Sequence, residues 1–139
     1  MKRKRGLFHN SCINNYLQIY SLFNFPEYIS TYFLKTMDRI NKLKAFLEVQ
    51  PTDSFLQHAL ALEYIKAGND ADARALFNKI LEREPGYVGS YYHLAKLLER
   101  AGENQQAIEV YERGVVAAAT AGDLHARNEL QMALDELAE

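Results

Sequence analysis

The feature that most constrains the fold of this chain is an internal repeat with a period of 34 residues. When the 139-residue sequence is shifted by 34 against itself, small residues meet small ones and large apolar residues meet large ones. A unit of that length is one supersecondary element, which buries its apolar face by stacking on its neighbour. The aligned pairs include Leu60 with Leu94, Ala61 with Ala95, Gly68 with Gly102, Ala73 with Ala107, Phe77 with Tyr111 and Pro51 with Pro85.

Within each unit the spacing of apolar residues is that of α-helices. Leu60 and Tyr64 are four residues apart, so the two share one helix face. Ala73 and Phe77 show the same spacing in the next stretch. Gly68 separates these two stretches, at a point where a left-handed residue ends a helix at little steric cost. We therefore predict six helices, over about 38–49, 53–67, 70–83, 87–101, 104–119 and 123–138.

The residues before several predicted helices fit the role of helix caps. Asp53, Asn69 and Asp123 each precede a helix, and their side-chain oxygens can bond the free N–H groups of its first turn. The last helix has leucines on one side and most of its acids elsewhere, which is typical of a capping helix. Gly114 lies inside the fifth helix, where glycine costs about 1 kcal/mol relative to alanine. We expect Gly114 where the capping helix crosses closely.

The two units, about 54–87 and 88–121, resemble the tetratricopeptide repeat (TPR). The TPR pattern is W-x2-L-G-x2-Y, followed by Ala, an aromatic residue and Pro. Three departures are present: Gln57 replaces the first aromatic residue, Gly114 stands where Ala is usual, and Ala119 replaces the closing Pro. The matches are Leu60, Ala61, Tyr64, Gly68, Ala73, Phe77 and Pro85 in the first unit, and Tyr91, Leu94, Ala95, Leu98, Gly102, Ala107 and Tyr111 in the second.

The resemblance implies an all-α fold over residues 37–139. This fold is a right-handed solenoid of antiparallel helix pairs, with a half repeat, two full repeats and a C-terminal capping helix. Such a chain is similar to the short stand-alone TPR proteins of bacteria. It would be a non-enzymatic module that binds a partner peptide or helix on its concave face. A structural role is the alternative, in which copies associate through the faces of Leu43 and Phe46 or of Leu130 and Leu137.

In TPR solenoids the first helix of each pair lines the concave face, and the resemblance places two sets of residues there. Tyr92 would be an aromatic anchor of the kind enriched in binding hot spots. Lys66, Lys96 and Arg100 would bind an acidic side chain or a carboxylate by charge-assisted hydrogen bonds. The residues placed on the concave face are His58, Leu62, Ile65 and Lys66 in the first repeat, and Tyr92, Lys96, Glu99 and Arg100 in the second.

Signals for other chemistry are sparse. The sequence has no H-E-x-x-H, phosphate-binding glycine loop, G-x-S-x-G or C-x-x-C motif, so we expect no catalytic, metal or cofactor site. His58 and His93 lie on successive first helices, and we expect half-buried or groove histidines, not a zinc pair. The TPR subclass that binds chaperone tails has paired Asn residues where this chain has Ala59 and His93. We therefore do not assign that activity.

Net charge and hydropathy bound the remaining possibilities. The formal net charge of -2 gives no support to nucleic-acid binding. No apolar run approaches the ~20 residues that a membrane span needs. We expect a cytoplasmic protein that is a monomer or a weak homo-oligomer, with an unidentified protein or peptide as its partner.

Residues 1–36 differ in composition from the rest of the chain. They hold five basic residues against one acid and no Ala, whereas residues 37–139 hold 11 basic and 17 acidic residues. Four interpretations are open: a secretory signal, a membrane-surface or targeting helix, an authentic N-terminal arm, and a poorly ordered segment foreign to the native protein. The richness in Lys, Asn, Ile, Tyr and Phe resembles translated A/T-rich non-coding DNA and favours the last. We accordingly expect the natural start at Met37.

Overall fold

The computed structural model describes residues 27–138, with side chains from residue 31 onward, and it is an all-α solenoid. Each helix packs against the next along the chain, and residues 27–138 contain no strand. The predicted fold class is therefore confirmed, and five of the six predicted helices agree with the structure to within two residues. The helices are α1 (Glu27–Val49), α2 (Ser54–Lys66), α3 (Asp70–Arg83), α4 (Gly89–Arg100), α5 (Asn104–Ala121) and α6 (Leu124–Ala138).

The predicted start of the first helix is wrong, because α1 begins at Glu27 and runs without a break through Met37. Its buried stripe continues upstream of the predicted start. Thr36 is 4% exposed, and its hydroxyl donates to the carbonyl oxygen of Tyr32 at 3.1 Å, one turn earlier. The change in composition at residues 36 and 37 therefore does not coincide with a helix boundary. The predictions for residues 1–26 lie outside the described part of the chain.

Small residues set the distance between the paired helices. Ala61 and Ala73 have no exposed surface, and neither do Ala95 and Ala107 at the equivalent positions one repeat later. Without side chains beyond Cβ, these residues let the backbones of α2 and α3, and of α4 and α5, approach closely. Larger side chains fill the space around them. The large residues of this core include Phe77, Ile80, Leu81, Tyr91, Leu94, Leu97, Leu98 and Tyr111.

The helix ends have the predicted caps. The Asp53 carboxylate accepts a hydrogen bond from the backbone N–H of Leu56 at 2.8 Å, at the start of α2. The Asp123 carboxylate accepts one from the backbone N–H of Ala126 at 3.0 Å, at the start of α6. Gly68 ends the turn after α2 with a φ of +76°, in the left-handed region that glycine adopts without steric cost.

Two chemically different side chains make the same bond in the two repeats. The Gln57 amide nitrogen donates to the carbonyl oxygen of Pro51 at 2.7 Å. One repeat later, the Tyr91 hydroxyl donates to the carbonyl oxygen of Pro85 at 2.8 Å. Arg83 donates to the amide oxygen of Gln57 at 3.1 Å, so this amide is bonded at both ends although it is 2% exposed. Gln57 therefore departs from the aromatic TPR pattern without leaving a polar group unpaired.

Gly114 lies where α4, α5 and α6 converge, as expected. A Cβ atom built on Gly114 would be 2.7 Å from Cβ of Tyr91 on α4 and 3.2 Å from Cδ1 of Leu130 on α6. Both distances are shorter than ordinary van der Waals contact. The absence of a side chain at this position therefore permits the packing that positions α6.

The Gly114→Ala substitution should lower the free energy of unfolding by about 1 to 2 kcal/mol. Overpacking costs about 1–3 kcal/mol, which exceeds the helix-propensity gain of about 1 kcal/mol from glycine to alanine. Urea denaturation followed by circular dichroism measures the difference. Gly89→Ala is the control, since its added Cβ would be 3.8 Å from Cε1 of His58, an ordinary contact. A Gly114→Ala protein as stable as the wild type would contradict close packing here.

Candidate functional site

The concave face carries a groove between α4 and α6. Two adjoining depressions of about 320 Å³ and 360 Å³ make up the groove, and both are lined by Tyr92 and Glu129. We call it the α4–α6 groove and define it by the side chains that line the smaller of the two depressions. These are Tyr92 and Lys96 on α4, and Glu129, Met132, Ala133 and Glu136 on α6.

Tyr92 lines this groove, and part of its ring is exposed to solvent. The ring centroid lies 5.8 Å from that of His93, edge to face, and 6.3 Å from that of Tyr111. These contacts fix the ring orientation, while 39% of the residue remains exposed. A rigid, half-covered aromatic side chain offers a partner large contact area at a small entropic cost.

Lys96 and Glu99 form a hydrogen-bonded group with Tyr111 next to this ring. The Lys96 ammonium is 3.0 Å from Oε2 of Glu99 and 5.9 Å from the ring centroid of Tyr92. The Tyr111 hydroxyl donates to Oε1 of Glu99, so both carboxylate oxygens are occupied within the chain. Burial and this hydrogen bond raise the pKa of Tyr111, which keeps the phenol a neutral donor.

Three of the four first-repeat residues of the predicted concave set are partly buried, and only Lys66 is exposed. Leu62 and Ile65 are partly buried and pack against the core. His58 is partly buried between α2 and α4, with Nδ1 2.9 Å from Oγ of Ser90. Its ring centroid lies 5.6 Å from that of His93, so the two predicted histidines do meet. In the first repeat, Leu62 and Ile65 therefore pack against the core, and His58 contacts the next repeat through Ser90.

Lys66 and Arg100 lie in two other places on the surface. Lys66 lines a depression between α1 and α2, and its ammonium is 2.9 Å from the Glu63 carboxylate, which also lies 3.1 Å from Nε of Arg39. Arg100 lines a depression between α3 and α4, and its guanidinium is 3.0 Å from the Asp70 carboxylate. The structure therefore does not bring Lys66, Lys96 and Arg100 together in one cationic site.

Burial keeps the two histidines neutral. Loss of solvation is the main cause that lowers the pKa of His58 to about 4, and the neighbouring His93 contributes further. Burial also lowers the pKa of His93. Within residues 27–138, no group of three or more His, Cys, Asp or Glu side chains could hold a metal ion. None of the helices described here is both long enough and apolar enough to cross a bilayer.

The comparisons with known proteins identify the family. The tetratricopeptide repeat family model matches residues 64–134, just over half of the chain. The chain belongs to the tetratricopeptide repeat family. A TPR repeat-containing protein of Pseudomonas aeruginosa is 29% identical over 98 residues, which are 70% of this chain and 93% of that relative.

Solved TPR structures also match this chain. The tetratricopeptide repeat domain protein of Salinibacter ruber is 41% identical and has a TM-score of 0.60; the match covers 62% of this chain and 96% of that one. The TPR2B domain of yeast Sti1 has a TM-score of 0.65 over 78% of this chain and 89% of its own. At 20% identity, the Sti1 likeness shows the fold alone.

The groove residues on α6 were not predicted from the repeat. The sequence interpretation treated α6 only as a capping helix with a polar outer face, although α6 begins 35 residues after α4, the same interval that separates α4 from α2. Met132 is the sequence signal for this wall of the groove. It is an apolar residue away from the leucines of α6, and it is 65% exposed. The predicted capping face is confirmed, since Leu130 is 2% exposed and packs in the core.

The two neutral histidines should make the TPR domain less stable as the pH falls from about 6.5 towards 4. Unfolded histidine binds a proton below its ordinary pKa of about 6.5, whereas folded His58 does so only near pH 4. The free energy of unfolding should therefore fall by about 1 to 2 kcal/mol between pH 7 and pH 5. Urea denaturation at both values measures this loss.

A double variant, His58→Gln with His93→Gln, is the control for this pH dependence. It removes both titrating groups, so its own loss of stability between pH 7 and pH 5 should be smaller than that of the wild type. An identical loss in both proteins would show that other groups cause the pH dependence.

Proposed function

We propose that this TPR protein is a non-enzymatic interaction module that binds a partner peptide or helix in the α4–α6 groove. The observation that carries the proposal is the Tyr92 ring, which is held in a fixed orientation yet 39% exposed at the floor of a concave groove. TPR folds in general mediate contacts between proteins. The TPR2B domain of yeast Sti1, which is similar in fold, was solved as a complex with pHsp70.

The proposed contact set differs from the one expected from sequence. Tyr92 and Lys96 remain in it, and Met132 and Glu136 join them from α6. Glu99 supports the set through its bonds to Lys96 and Tyr111. Of the other predicted residues, His58, Leu62 and Ile65 are partly buried, while Lys66 and Arg100 line separate depressions outside the groove.

Photo-crosslinking tests whether a partner occupies the groove. A photoreactive phenylalanine analogue at Met132 should capture a partner from a lysate of the source cells. The same analogue at Lys79, which is exposed on α3 and does not line the α4–α6 groove, is the matched control and should not. Mass spectrometry of the crosslinked bands identifies the captured protein.

The Tyr92→Ala substitution should reduce this capture at least about tenfold, because truncating a hot-spot aromatic residue costs about 2 kcal/mol or more in binding. The ring is partly exposed, so thermal unfolding should change little. Undiminished capture by Tyr92→Ala, or equal capture through Lys79, would reject the α4–α6 groove as the binding site.

Self-association is the second candidate, and exposed apolar residues at the α1–α2 turn favour it. Phe46 is 60% exposed, Val49 is 80% exposed and Phe55 is 71% exposed. Large apolar side chains exposed together mark interaction surfaces in soluble proteins. On α6, the predicted Leu130 is buried and Leu137 is only partly exposed, whereas Leu124 and Met132 are 64% and 65% exposed, the latter in the α4–α6 groove. We assign the self-association to the N-terminal end, because three large apolar side chains are exposed there around a single turn.

Light scattering measures this self-association. If the turn is an interface, the wild type should show a concentration-dependent dimer, and Phe46→Ser with Phe55→Ser should shift it to monomer. A wild type that remains monomeric up to millimolar concentration would remove this candidate and leave peptide binding in place.

A further inference from the structure

The chemistry of the groove indicates what kind of segment would bind there, given the proposed function of the α4–α6 groove. We propose that the partner segment is a cationic amphipathic helix. Its basic side chains would lie against Glu129 and Glu136, and an apolar side chain between them would pack on Met132 and Tyr92. The proposal follows from three features: the pairing of the cations, the position of the acids and the exposed apolar strip.

The cations near the concave face already have partners within the chain. The Lys96 ammonium is 3.0 Å from Glu99, and the Lys66 ammonium is 2.9 Å from Glu63. The Arg100 guanidinium is 3.0 Å from Asp70. The carboxylate paired with Lys66 is buried, and the one paired with Lys96 also accepts a hydrogen bond from Tyr111, so an acidic ligand would compete with a fixed partner at both lysines. The Arg100–Asp70 pair is exposed and lines a different depression. The concave face is therefore poorly suited to an anion.

The carboxylates of the groove, by contrast, are exposed and weakly engaged. Glu136 lines the groove together with Tyr92 and Lys96, and it has no ion pair among the residues that the structure describes. Glu129 pairs only with His125 at 3.3 Å, and these side chains are 61% and 86% exposed. Pairs this exposed contribute little stability, so a partner cation can replace the imidazole.

The spacing of these residues fits a helical partner. Glu129, Met132 and Glu136 are at positions i, i+3 and i+7, so they form one stripe along α6. The two acids are separated by about 10 Å along the helix axis. A partner helix with basic residues seven apart, and an apolar residue between them, has the complementary stripe. Met132 suits the apolar contact because its unbranched thioether adapts to different side chains.

The charge of the whole domain favours the same partner. Residues 37–139 hold 11 basic and 17 acidic residues. A negative field attracts a cationic segment and accelerates its encounter with the groove. The binding should therefore weaken as the salt concentration rises.

Two designed peptides test the proposal on the full chain. One is a fluorescein-labelled helix of about 18 residues with Lys at positions seven apart, Leu between them and Ala elsewhere. The other has Glu in place of each Lys. Fluorescence anisotropy should give a dissociation constant at least about tenfold lower for the Lys peptide than for the Glu peptide. Equal affinity, or tighter binding of the Glu peptide, would overturn the proposal.

Two charge-matched double variants separate local contact from the overall field. Glu129→Gln with Glu136→Gln should weaken binding of the Lys peptide about threefold to tenfold, as expected for two partly exposed ion pairs. Glu82→Gln with Glu109→Gln removes the same charge from exposed positions on α3 and α5, and its dissociation constant should stay within about twofold of the wild type. Equal weakening in both variants would leave only long-range attraction, and the groove assignment would fail.

The outcomes distinguish failure of this inference from failure of the proposed function. If the Lys peptide does not bind but crosslinking at Met132 still captures a partner that Tyr92→Ala loses, the groove binds a segment of other chemistry. If Tyr92→Ala binds the Lys peptide as the wild type does and captures partners equally, both proposals fail. Circular dichroism of each variant confirms that it is folded, so that a loss of binding reports on the groove.

Discussion

The close approach of Gly114 to Tyr91 determines where the α4–α6 groove lies. Because Gly114 has no side chain, α4 and α5 come together without a gap, and Leu130 of α6 reaches the same point. The contact thereby places α6 alongside α4 and forms the second wall of the concave groove. A single missing Cβ in the core therefore governs a surface that the glycine itself does not touch.

The repeat made most of the fold predictable, because small and large residues recur at equivalent places. Ala61 and Ala73 predicted the close helix pairs, and Gly68 predicted a left-handed turn. Residues whose role depends on neighbours were less predictable. Gln57 departs from the aromatic pattern, yet it makes the bond that Tyr91 makes one repeat later. The start of α1 was misplaced because a change in composition was taken for a structural boundary.

The site was only half predictable, for physical reasons. The phase of α4 identified Tyr92 and Lys96, since a helix of known orientation determines which residues face the groove. The contacts of α6 were missed because a helix at the end of the repeats was expected to present only a polar outer face, although it begins at the repeat interval after α4. The sequence also identified the basic residues but did not show which carboxylates pair with them. Only the folded chain shows that Lys66, Lys96 and Arg100 are each paired with a carboxylate nearby.

The two helices that form the groove are not held equally firmly by their neighbours. Its α4 wall is packed between other helices, whereas α6 packs chiefly on α5 and lies at the end of the described solenoid. End units of a solenoid open at a lower free energy than internal ones, because each contacts only one neighbour. A ligand held by both walls binds only the docked form of α6. Occupancy of the groove and docking of α6 are therefore thermodynamically linked, and a bound ligand would raise the free energy needed to undock α6.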